Sequence, residues 1–89
     1  MPKKKSKAVA LKYETEKDSA PRVVAKGRDL IAKKIIETAK AHKVPLYQDK
    51  NLVQVLEALD LDTEIPPELY RAVAEVLAFI YRLNQKFRI

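Results

Sequence analysis

His42 is the single histidine of an 89-residue chain, and it follows a helix-like run of lysine and alanine. Proton transfer or nucleophilic catalysis needs an imidazole within reach of a carboxylate and a nucleophile, and a histidine at a helix end more simply meets the negative end of the dipole. Ser6 and Ser19 lie near lysines, the pairing of a Ser/Lys hydrolase, but one glycine in the whole chain, Gly27, leaves no glycine-rich loop to hold an oxyanion or a phosphate. The absence of cysteine removes thiolate nucleophiles, zinc sites and disulfides together. Asp60, Asp62 and Glu64 alternate along the chain without the spacing or glycine of a calcium loop, so they read as a solvated loop. The inventory points to a protein that is not an enzyme and uses no cofactor and no metal.

Charge is the stronger signal. The net charge is +6, and it is uneven: residues 1–43 hold 13 Lys/Arg against 5 Asp/Glu, whereas residues 44–89 hold 5 against 7. Two arrangements satisfy this asymmetry: a basic face for an acidic partner, or a solvated surface. Nucleic-acid binding is the natural alternative function for a small basic domain, but the basic half offers only Tyr13 as a platform for base stacking.

The elements follow from period and punctuation. A chain of this length makes one domain, without an apolar run long enough to cross a bilayer or serve as a signal peptide. Alternating Val9, Leu11 and Tyr13 predict a strand over residues 7–13, residues 14–20 read as a polar turn, and residues 22–26 predict a second strand closed by Gly27, a spacing that suggests a hairpin-like return. Leu30, Ile31, Ile35 and Ala39 predict a helical face, with Asp29 at its positive end and His42 and Lys43 at its negative end. Residues 44–47 read as a short strand at an edge, because Pro45 lacks an N–H. Asp49 is placed to cap a second helix through Leu52, Val55, Leu56 and Leu59, and residues 61–65 suggest a very short strand. Pro66, Pro67 and Glu68 then open a last helix running to about Asn84. The expected fold is α/β: a small mixed β-sheet of three to four strands packed with three helices, with parallel pairing across the first helix. Residues 1–7 form a basic tail, 8–84 the domain and 85–89 a C-terminal tail.

The last helix is apolar over too wide an arc. Leu69, Val73, Val76 and Ile80 form one stripe, Tyr70, Ala74, Leu77 and Tyr81 a second, and Ala72, Phe79 and Leu83 lie on the other flank, together about 220°. Such a helix contacts more than one thing. Burial between sheet and neighbouring helix satisfies the pattern, and so does a docking surface for another chain.

The phrases "AVALKYETEKDSAPRVVAKGRDLIAKKIIETAK", "VPLY" and "EIPPELYRAVAEVLAFIYRL" resemble the cytoplasmic C-terminal domain of the FlhB/YscU family, the export-switch proteins of flagellar and virulence type III secretion systems. The resemblance runs from Ala8 to Leu83 and is looser over residues 52–62. It implies a cytoplasmic domain held at the inner-membrane export gate, whose partners are export-apparatus proteins and secretion substrates. In that family the domain cleaves itself at an Asn-Pro-Thr-His motif. The four positions of that motif fall here on Lys3, Lys4, Lys5 and Ser6, and no Asn-Pro occurs anywhere in the sequence.

The resemblance therefore implies a stand-alone, non-cleaving relative of the C-terminal cleavage product, lacking the transmembrane half and the strand ahead of the motif. A full-length FlhB-like membrane protein is then an expected partner, adding its own strand to an open sheet edge, while the lysines discourage self-pairing there. The family's substrate-docking patch falls on Ala20, Pro21, Ala74 and Leu77. For Leu77 core packing is the alternative.

Overall fold

The computed structural model describes the backbone of residues 6–86 and the side chains of residues 6–82. The alternating sequence KAVALK forms β1 (Lys7–Lys12) and RVVAKGR forms β2 (Arg22–Arg28), which pair antiparallel. Between them the Glu14 carbonyl accepts from the N–H groups of Lys17 and Asp18 at 2.9 and 2.7 Å, and Asp18 Oδ2 accepts from the Glu14 N–H at 3.1 Å. The polar run thus closes on itself as a turn. The register sets Ala8 opposite Gly27 and Val9 opposite Lys26, then slips between Ala10 and Leu11 so that Leu11 faces Val23. A one-residue bulge of this kind increases local twist.

Side chains alternate across a sheet, so neighbouring residues of β1 look to opposite layers. On the Ala8 face lies α1 (Leu30–Ala41), and Gly27 is what lets it close: a Cβ at Gly27 would stand 2.1 Å from Ile31 Cγ2 and 2.7 Å from Ile31 Cβ. Gly27 therefore lies inside β2, which runs on to Arg28, and it does not end the strand as its type suggests. On the opposite face Val9 and Leu11 pack against a buried cluster of Ala20, Leu56, Ile65 and Val73. That cluster gathers α2 (Lys50–Leu56) and α3 (Tyr70–Lys86), the latter preceded by a 3-10 turn at Pro67–Leu69. Val23 and Val73 are fully buried, each contributing about 1.5–3 kcal/mol relative to exposure.

The three helices, the mixed α/β class and the hairpin of the first two strands agree with expectation, but the sheet is smaller, and the parallel pairing expected across the first helix is absent among the described residues. Residues 44–47 form no strand. The end of α1 explains why: Lys43 takes a left-handed conformation (φ 58°), its N–H donates to the Lys40 carbonyl at 3.2 Å, and the Val44 N–H donates to Ala39 at 2.8 Å. This paired closure of the last turn spends the N–H of Val44 on the helix, and Pro45 has none to offer a ladder. Residues 61–65 do run beside β2: Val23 N–H donates to Thr63, Asp62 N–H to Val23 and Ile65 N–H to Pro21. Only the Arg22–Glu64 bridge forms, because Asp62 turns to φ 64° and breaks the extended backbone.

The caps read from sequence are in place: Asp49 Oδ1 accepts from the Leu52 N–H at 3.0 Å, and Pro67 sits in the first turn of the 3-10 segment. The face of α1 differs. Ala32 is buried, Ile35, Ile36 and Ala39 are half-buried, Leu30 points outward, and Ile31, though 59% exposed, lies with its Cβ and Cγ2 against Gly27. The helix meets the sheet through Ala32 and through Ile31 over Gly27, whose missing Cβ allows the close approach.

Candidate docking groove

The over-wide arc of α3 divides among three surroundings. Val73 and Val76 are buried, with Leu69 and Ile80 half-buried beside them, so the first stripe faces the core. Phe79, on the flank, meets Tyr47 edge to face at a centroid distance of 5.2 Å and an interplanar angle of 69°, which ties the chain after α1 to α3. From the second stripe, Tyr70, Ala74 and Leu77 line one wall of a groove of about 180 Å³.

Ser19, Ala20 and Pro21 form the facing wall, Ile65 and Val73 contribute from the core, and Tyr13 adds a second aromatic ring. The wall is held by hydrogen bonds: Pro21 accepts from the Ile65 N–H at 2.9 Å, and Glu64 Oε2 accepts from the Ser19 N–H at 3.1 Å. Arg22 Nε lies 3.3 Å from Asp18 Oδ1, a charge contact without hydrogen-bond alignment. Ala20, Pro21, Ala74 and Leu77, distant in sequence, are therefore brought together on one concave surface. They differ in burial: Ala20 and Pro21 are buried, Leu77 is half-buried and packed against the core cluster, and Ala74 is exposed. Leu77 thus lines the groove and also packs on the core. The groove is apolar with hydroxyls at its rim, which suits short apolar side chains of an extended or helical peptide.

Tyr13, Ser19, Ile65, Tyr70 and Val73 line the groove in addition to the four expected residues. Tyr70 was legible, since it shares a helical stripe with Ala74 and Leu77. Tyr13 was not, because its place depends on the turn that follows β1.

The basic half has internal work. Glu57, at the end of α2, accepts from Arg28 Nε and Nη2 at 3.1 and 2.9 Å and pairs with Lys7 Nζ at 2.9 Å. Lys26 Nζ donates to the carbonyls of Glu57 and Leu59 at 3.0 and 2.6 Å, satisfying groups that the helix end leaves open. The hairpin thus clasps α2 through three basic side chains. The hydrogen bonds of Arg28 and then Lys7 hold the Glu57 carboxyl down at about 2 against an ordinary value of 4.5. At the turn, the Lys12 ammonium, 2.8 Å away, lowers Glu14. His42 Nδ1 lies 2.9 Å from the Thr38 carbonyl at the end of α1, a local helix-end contact. No cluster of metal-ligating side chains occurs among the described residues, and no helix among them is long and apolar enough to cross a membrane. Lys3, Lys4 and Lys5 lie outside the described residues; Ser6 is exposed, and its carbonyl accepts from the Asp29 N–H at 2.8 Å.

Known proteins are similar to this chain in sequence and in fold. YlqH of Bacillus subtilis is 45% identical over 82 residues, covering 92% of this chain and 88% of its own. The flagellar biosynthetic protein FlhB of Aquifex aeolicus is 46% identical over 80 residues, which are 89% of this chain and 23% of that protein. The chain thus spans about a quarter of the FlhB it matches. The crystal structure of the cytoplasmic domain of FlhB from Shewanella putrefaciens superposes with a TM-score of 0.85 at 38% identity, covering 90% of this chain and 63% of that one. The PscU C-terminal domain gives a TM-score of 0.78 at 28% identity, over 83% and 95% of the two chains. A model of the FlhB HrpN YscU SpaS Family matches residues 5–80, and this chain belongs to that family.

Proposed function

We propose that the protein is a non-enzymatic interaction module of the flagellar or type III export apparatus, acting in the cytoplasm at the export gate and taking part in substrate selection. One observation carries this reading: Ala20, Pro21, Ala74 and Leu77 converge on a single apolar groove in a chain of this family. Export substrates dock there through apolar side chains. The absence of Asn-Pro from the sequence supports a domain that binds without cutting itself. A second contact is with a full-length FlhB-like membrane protein. Among the described residues nothing hydrogen-bonds the edge of β1 that faces away from β2, and an open edge can accept a strand from a partner.

The test is capture of purified export substrates and gate proteins by the immobilised chain, beside a salt series of nucleic-acid binding. Capture that survives physiological salt supports the reading. Tight, sequence-selective DNA binding at that salt, with no capture, overturns it in favour of a small basic nucleic-acid-binding domain.

A further inference from the structure

We propose that the outward face of α1 docks on an anionic lipid headgroup layer. The positive charge of the chain divides by what it is paired with. Lys7 and Arg28 pair with Glu57, Lys12 and Lys17 with Glu14, Arg22 with Asp18, and Lys26 donates to two carbonyls. The ammonium groups of Lys33, Lys34, Lys40 and Lys43 are exposed and take no partner among the described residues. The unpaired excess therefore gathers on α1 and its end, while Lys50, Arg71 and Arg82 belong to the half in which carboxylates outnumber bases.

Helical spacing puts Leu30 opposite the buried Ala32 with Lys33 and Lys34 on either side of it, Lys40 on the same flank as Lys33, Ile31 at the other border, and Glu37 between Lys33 and Lys34 as the one carboxylate on the arc. Leu30 is 81% exposed and Ile31 59%. An apolar tip flanked by lysines fits the boundary of headgroups and acyl chains, where Leu30 and the exposed part of Ile31 enter and the ammonium groups stay with the phosphates. Nucleic acid offers phosphates but nothing for Leu30 and Ile31 to enter, and the arc has no arginine or aromatic side chain to engage a base. A second copy would set lysines against lysines. Because α1 and α3 lie on opposite faces of the sheet, a lipid layer against α1 leaves the groove open.

The experiment is sedimentation of the full chain with phosphatidylcholine vesicles, with and without phosphatidylglycerol, at low and high salt. Partition is expected only onto the anionic vesicles and is screened by salt. Lys33→Gln with Lys34→Gln lowers it by roughly thirty-fold, from the usual worth of two lysines at such a surface, and Leu30→Gln lowers it severalfold. Replacing Lys3, Lys4 and Lys5 by serine leaves most of it. Leu30, Lys33 and Lys34 are exposed, and circular dichroism confirms that the variants fold. The proposal is overturned if the anionic vesicles bind nothing, if the α1 variants partition like wild type, or if loss is confined to the tail variant. The groove reading is separate, because its capture assay contains no lipid.

Discussion

Arg28 and Glu57 are joined by two hydrogen bonds of 3.1 and 2.9 Å, and Lys7 shares the same carboxylate at 2.9 Å. One glutamate thus connects both strands of the hairpin to the end of α2. Because the Glu57 pKa is depressed from 4.5 to about 2 on folding, its contribution is fully present above 4.5 and is lost as the pH falls through about 2. Thermal unfolding should therefore occur at progressively lower temperature across that interval. Glu57→Gln should lower the midpoint at neutral pH and flatten the acid slope, leaving the smaller part due to Glu14, whose pKa is also lowered. An unchanged slope in the variant would contradict the clasp.

Gly27→Ala tests the packing of α1 on the sheet. The added Cβ meets Ile31 Cγ2 at 2.1 Å, so helix and strand must separate, a loss of about 1–3 kcal/mol in urea unfolding. Adding Ile31→Ala should recover only part of that loss, since Ile31 Cβ itself stands at 2.7 Å. Full tolerance of Gly27→Ala would show that α1 lies farther from β2.

Lys43→Gly should stabilise the chain. Lys43 holds φ 58° in the closure of α1, a conformation costing a residue with a Cβ about 1–2 kcal/mol. Glycine relieves that strain, less its greater freedom when unfolded, so thermal unfolding should shift upward. A downward shift would mean that the lysine side chain contributes more than the strain it carries.

Lys43, left-handed without being glycine, carries no local signal of its conformation. Period and punctuation placed all three helices, the hairpin, the Asp49 cap and the Pro66–Pro67 start, because each depends on neighbours within a few residues. A left-handed helix end without glycine gave no such signal, and an edge strand was expected at residues 44–47. The positive φ of Asp62 hid in the same way, leaving one bridge where a strand was expected. The width of the α3 arc did announce a second surface. Its opposite wall could not be read from periodicity, because Ala20 and Pro21 reach it through pairing with Ile65. Nor could charge counts tell the lysines that clasp α2 from those left on α1.

Ala74→Glu places a charge on the exposed wall of the groove without entering the core. Capture of export substrates should fall by an order of magnitude or more, since a buried unpaired carboxylate is costly, while unfolding stays cooperative and its midpoint moves little. Leu77→Glu should reduce capture and also lower stability, because Leu77 packs against the core cluster. Equal capture by a folded Ala74→Glu variant would remove the groove from the account.

The most direct measurement is amide chemical-shift mapping of the labelled protein titrated with a purified export substrate. Saturable shifts are expected at Ser19, Ala20, Tyr70, Ala74 and Leu77, around the groove, and are expected to be absent from the Ala74→Glu variant. Shifts confined to α1 or β1, or no shifts with a substrate that the chain captures, would contradict the groove reading.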